Sequence, residues 1–241
     1  MRLHYATMPT SADHLLAFAI AVGLPLRAWV MMRHLRIAAP SDVPRVRRTL
    51  WTRAILMQWT LVAAVALLWW MNHRSPIGLH LRLEPTPGLA GVLVGLATIV
   101  SLVLRTRSRL DHEPEARERA RQQLAGLERL LPRTAAEGRF FAVLAVTAGV
   151  CEELLFRGFL VWYLGHFMPP VLALATQAAL FGLAHAYQGR AGVLKTGFAG
   201  AFFTGVVVVS GSVLPAMLIH ALMDLHAGDV ARRVLPADDA A

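Results

Sequence analysis

The sequence predicts an all-α fold, a polytopic membrane helical bundle of about seven transmembrane helices (six to eight). Three observations lead there. Of 241 residues, 56% are hydrophobic and only 16% charged, with mean hydropathy +0.51, whereas a soluble domain averages roughly 25% charged. The apolar residues also fall into long stretches without charge, at 54–71, 85–104, 158–189 and 196–223, and a run of about 18 or more reads as a membrane span. Finally, Pro169-Pro170 and Ser210-Gly211-Ser212 with Pro215 divide the two longest stretches. These features exclude a disordered chain, a disulfide-rich secreted domain and a soluble nucleic-acid-binding protein. Cys151 is the one cysteine, so no intrachain disulfide forms, and it reads as a buried, inert side chain.

The spans are expected at 14–32, 52–71, 88–104, 139–164, 170–187, 193–209 and 213–230. The first carries Pro25 and Arg27, and its length, with no small-residue cleavage site, argues against a signal peptide. Segment 111–131 carries many charges with Leu124, Leu127, Leu130 and Leu131 on one flank. It reads either as an amphipathic helix on the inner leaflet or as a solvated connector. In the sixth span Gly197, Ala201 and Gly205 recur every four residues, a stripe that lets helices approach closely. The chain divides into N-terminal spans with a charged segment (1–138), a helical core (139–230) and a short tail (231–241).

The net charge of +9 describes topology better than a nucleic-acid partner. Loop 33–53 carries six Arg, loop 105–139 nine, the turn after the fifth span Arg190 and Lys195, and the tail Arg232 and Arg233. Only Arg2, Arg74 and Arg82 fall on the other side. Because Lys and Arg accumulate in cytoplasmic loops, the N-terminus is expected outside and the C-terminus in the cytoplasm. The expected location is a plasma membrane, probing no nucleic acid and contacting the lipid bilayer.

Ionisable residues inside spans are costly and point to function. Three groups stand out. In Glu152-Glu153-Leu154-Leu155-Phe156-Arg157, Glu153 and Arg157 are four apart and share a helix face, which neutralises Glu153. Glu152 is turned about 100° away with no base one turn along, the setting of a general base or acid. His185 follows Phe181 by one turn late in the fifth span, and His220 precedes Asp224 by one turn in the seventh. Two chemistries are open. Glu152 and His185 can hold a water that attacks a peptide carbonyl, with His220 and Asp224 stabilising the oxyanion. Equally, Glu152, His185, His220 and Asp224 can ligate zinc, whose bound water is the nucleophile. On simple span geometry Glu152 lies near mid-depth, His185 near the cytoplasmic end and His220 in the outer half, with offsets of roughly 10 Å at 1.5 Å per residue.

The motifs Glu152-Glu153-xxx-Arg157, Phe181-xxx-His185 and His220-xxx-Asp224, each on its own span, resemble those of the CPBP family. That family comprises the type II CaaX prenyl endopeptidases and the bacteriocin-processing or immunity relatives also labelled Abi. The resemblance covers about 139–230. It implies an intramembrane endopeptidase with an all-α core, acting on a membrane-associated or prenylated peptide or protein. It also implies Glu152 and His185 as the water-activating pair, and His220 with Asp224 as oxyanion or metal-site groups. Glu153, Arg157 and Phe181 are then supporting residues. Asp224 stands where the eukaryotic-type enzymes have Asn, which loosens the expectation of a strict CaaX substrate. The resemblance implies a bacterial inner membrane and fixes no cofactor, zinc being the one candidate. Two other classes compete: a non-enzymatic membrane immunity or binding protein of the same fold, and a proton-coupled transporter. The second lacks the two-fold repeat that many transporters carry.

Overall fold

The computed structural model describes residues 7–237. Arg2 and residues 238–241 of the tail lie outside the described residues. Those described form eight helices and no strand. They are α1 (Ser11–Ile37), α2 (Val43–Met71), α3 (Pro87–His112), α4 (Pro114–Gln123), α5 (residues 135–164), α6 (Pro170–Ala184), α7 (Gly189–Ser210) and α8 (Leu214–Val234). The all-α class is as the sequence predicts. Four helical stretches are long and apolar enough to cross a membrane: Ser11–Ile37, Pro40–Met71, Pro87–His112 and Ala186–Ser210. On α3 only 6% of the apolar window is buried, and Val94, Leu104, Val171 and Phe198 are exposed. Such contiguous apolar surface fits contact with lipid.

Local chemistry sets the ends. Thr10 and Asp13 form a capping box at the start of α1, and Thr86 and Thr134 accept from Leu89 and Glu137 N–H groups. Gly211 at φ 73° closes α7 at the predicted break. Within α1 a π turn spans Ala19–Gly23 just before Pro25, which has no N–H for the Ala21 carbonyl. A second π turn, Leu154–Leu160, interrupts α5 at the acidic motif. Such wide turns insert a residue into a helix and occur often at functional sites.

Close contacts at glycines bring the helices together. A Cβ on Gly149 would stand 2.6 Å from the Ala221 nitrogen, so α5 and α8 meet there backbone to backbone. A Cβ on Gly182 would stand 2.7 Å from the Val193 carbonyl oxygen, which joins α6 to α7. The small-residue stripe expected on α7 is only partly used. Of its three members Gly197 packs closely against Gly182, whereas Ala201 is exposed and Gly205 has nothing within 4 Å of its Cβ position; Gly200, outside the stripe, meets Ala178 and Phe181. The working face therefore runs through Gly200 and Thr204.

Charged loops gather at one end of the bundle. Arg47 on α2 pairs with Glu137 on α5 at 2.6 Å, with both side chains buried. Arg129 donates to the carbonyls of Leu35, Arg36 and Ala38, Arg36 to that of Tyr187, and Arg133 to that of Pro236. Arg107 and Arg233 both reach Asp229. At the opposite end Arg74 holds Asp13 through both carboxylate oxygens, at 2.8 and 2.7 Å, beneath the rings of Trp69 and Trp162. Sequence position made Arg47 and Arg74 look like solvated loop charges, yet both are buried in ion pairs. The charged segment 111–131 departs from a continuous amphipathic helix: α4 stops at Gln123, and Leu124, Leu127 and Leu131 pack against Phe141, Ala231 and Leu235. Its leucine flank covers protein.

Candidate active site

The acidic motif sits where α5 enters its π turn. Glu153 and Arg157 pair as the four-residue spacing predicts, Arg157 donating to Glu153 Oε1 at 3.0 Å with neither side chain exposed. Arg157 also donates to the Gly200 carbonyl on α7 at 3.1 Å. Its guanidinium lies over the rings of Phe181, 4.1 Å from the centroid, and Phe203, at 5.4 Å. One buried cation thereby ties α5, α6 and α7 together, and Phe181 is part of that tie.

His220 is held by Glu153. Its Nδ1 lies 2.9 Å from Glu153 Oε1, within hydrogen-bonding distance. Asp224 Oδ2 is 3.8 Å from Nε2, too long for a hydrogen bond. Glu153, a residue read as a mere partner of Arg157, thus orients the imidazole, and Asp224 stands off beside the other nitrogen. The His220 ring stacks on Phe203 with centroids 4.8 Å apart and 17° between planes.

His185 ends α6 instead of lying inside it. Its ring Nδ1 is 2.9 Å from the Phe181 carbonyl, while its backbone N–H turns to Gly182. A carbonyl only accepts, so Nδ1 carries the proton and the neutral ring keeps Nε2 as an acceptor. The helix is 15 residues long, about 22 Å at 1.5 Å per residue, and stops short of a hydrocarbon layer of about 30 Å. Despite the depth offsets that simple span geometry implied, His185 lines the same cavity as the other motif residues.

Among the described residues Glu152 has no ion-pair partner, and the sequence offers no base one turn along. Glu152 accepts instead from Gln58 Nε2 on α2 at 3.0 Å, while its Oε2 is buried with no partner. Glu152, His185, His220 and Asp224 all line one cavity of about 440 Å³. Its remaining wall is largely apolar and comes in part from the N-terminal helices, through Leu24, Ala28, Met31 and Met57 among others, and in part from the C-terminal helices. Gln58, Phe203 and Tyr187 also face the cavity, and sequence reading missed all three. Gln58 had a faint signal, as the one carboxamide in the uncharged run 54–71.

The alternative of a zinc centre does not fit this geometry. Among the described residues no group of three or more His, Cys, Asp and Glu side chains is placed to hold a metal ion. Cys151 is buried and free, as expected.

Comparison with known proteins gives one match. No curated protein and no solved structure matches the chain. Residues 136–226 match the family model described as type II CAAX prenyl endopeptidase Rce1-like. This stretch holds every residue of the three motifs and agrees with the resemblance they carry: the C-terminal helices of this membrane bundle are similar to the Rce1-like CAAX proteases.

Proposed function

We propose that this chain is an intramembrane endopeptidase that cleaves a membrane-associated or lipidated peptide with a water activated by Glu152 and His185. The observation that carries the reading is the convergence of Glu152, His185, His220 and Asp224, from three separate helices, on one cavity. The unpartnered Glu152 Oε2 and the acceptor Nε2 of His185 are the two groups suited to take a proton from water. As the water oxygen bonds to the carbonyl carbon, its proton passes to this pair and negative charge gathers on the carbonyl oxygen. His220 in its imidazolium form donates from Nδ1 to Glu153 and offers Nε2–H to that oxyanion, with Asp224 alongside. The tetrahedral adduct then expels the amine, which takes the proton back, leaving a carboxylate and a free amino terminus. No step runs through a metal. The excess of Arg at one end supports a cytoplasmic placement of that end in a bacterial plasma membrane, with the N-terminus outside.

The test uses purified protein in liposomes and an internally quenched peptide ending in an S-farnesylated CaaX sequence, beside a comparison of membrane peptides from wild-type and Glu152→Ala cells. Glu152→Ala and His185→Ala are each expected to lower cleavage by about 100-fold or more while the protein still inserts and folds. Full activity in both variants refutes the reading.

A further inference from the structure

We infer that Gln58 on α2 is a positioning residue for Glu152, so that the site is completed by a helix outside the family-like segment. Three observations carry this. The Gln58 carboxamide, buried, donates from Nε2 to Glu152 Oε1 at 3.0 Å. The other carboxylate oxygen, Oε2, is buried with no partner, so one oxygen is held and one is left for chemistry. The Gln58 Oε1 also lacks a partner, which means that the amide spends its bonding on Glu152 and is not anchored to its own helix or to a neighbour.

A purely structural role accounts poorly for this arrangement. Helix α2 is already fastened to α5 by Arg47 with Glu137 at 2.6 Å and by Trp59 Nε1 with Thr147 Oγ1 at 3.3 Å. A further tie at that point needs no half-satisfied buried amide. The choice of residue also fits the task. A Lys or Arg would pair with Glu152 as Arg157 does with Glu153 and tie up the carboxylate. A neutral amide N–H holds one oxygen, adds no charge and leaves the other oxygen free to meet water. Because α2 lies outside residues 136–226, the family-like helices alone leave Glu152 without its hydrogen-bond donor.

The effect on cleavage rests on the protease reading above; the effect on Glu152 itself does not. The first experiment is therefore free of substrate. Wild-type, Gln58→Met and Gln58→Asn proteins in liposomes are treated with dicyclohexylcarbodiimide, a membrane-permeant reagent that adds to protonated carboxyls. Labelling at Glu152 is read by mass spectrometry from fragment ions that separate it from Glu153. Removing the donor in Gln58→Met frees Glu152 Oε1 and is expected to raise labelling of Glu152 about threefold or more, with Gln58→Asn, whose amide sits on a shorter arm, in between. Equal labelling in wild type and Gln58→Met, including none in either, overturns the proposal.

The second experiment uses the farnesylated peptide. Gln58→Met is expected to lower kcat about tenfold with KM changed less than about twofold, and with the melting temperature in detergent unchanged. A merely structural residue would lower the melting temperature and leave kcat per folded molecule alone. Glu152→Ala separates the two failures. If that variant still cleaves, the protease reading falls and the labelling result stands by itself. If it is inactive while Gln58→Met cleaves like wild type, only the positioning role falls.

Discussion

Two adjacent glutamates on α5 do different work, and their surroundings say why. Glu153 is wholly buried between Arg157 and His220, so its carboxylate is part of the frame. Glu152 faces the cavity with one oxygen unpartnered. Removing one member of a buried ion pair leaves the other charge uncompensated, at a cost of about 3 kcal/mol or more. Glu153→Gln is therefore expected to lower the thermal unfolding temperature of the detergent-solubilised protein markedly and to reduce activity with it. Glu152→Gln is expected to lose activity with little change in unfolding. Differential scanning fluorimetry of the two variants side by side checks this. At this scale the sequence was readable where a charge interrupts an apolar run, which exposed Glu152, Glu153, Arg157 and Asp224. It was silent where a neutral side chain does the work. Gln58 and Phe203 carry no charge to betray them, and the bond from His220 to Glu153 joins residues 67 apart.

Helix-level features were legible in position and less so in form. Apolar runs and proline or glycine breaks located the helices, but charged ends were left out: α2 begins at Val43 and not 52, and α3 runs to His112 and not 104. The π turn at 154–160 left no trace, because a 3.6-residue periodicity does not register one inserted residue. The early end of α6 was equally hidden, since residues 185–189 remain uncharged and the histidine's own ring takes the Phe181 carbonyl at the helix end. The close approach of α5 and α8 at Gly149 brings Glu153 within reach of His220. Gly149→Val places three carbons where backbone stands, and overpacking of this kind costs about 1–3 kcal/mol. The variant is expected to unfold at lower temperature and to lose cleavage activity. Gly205→Ala, whose Cβ position faces open space, serves as the neutral control in the same melting and cleavage assays.

Over the whole molecule, the two halves of the chain are interlocked. The N-terminal helices supply a cavity wall and the donor to Glu152, although residues 1–138 carry none of the three motifs. That dependence could not be read from sequence, since no repeat or shared motif links the halves. The basic end is assembled from four separate segments through Arg36, Arg47, Arg129, Arg133 and Arg233. With that end in the cytoplasm, a reporter fused at residue 120 is expected to be active only as a cytoplasmic reporter, and one fused at residue 75 only as an external reporter. The reverse pattern would invert the proposed orientation. The short helix α6 has one more consequence. At about 22 Å it falls roughly 8 Å short of an average hydrocarbon layer. A deficit of that kind is met by local thinning of the bilayer or by tilt. Where thinning meets it, the headgroup region moves inward beside His185, and the reactant water would have a shorter path to the site than full-length spans on every side would leave it.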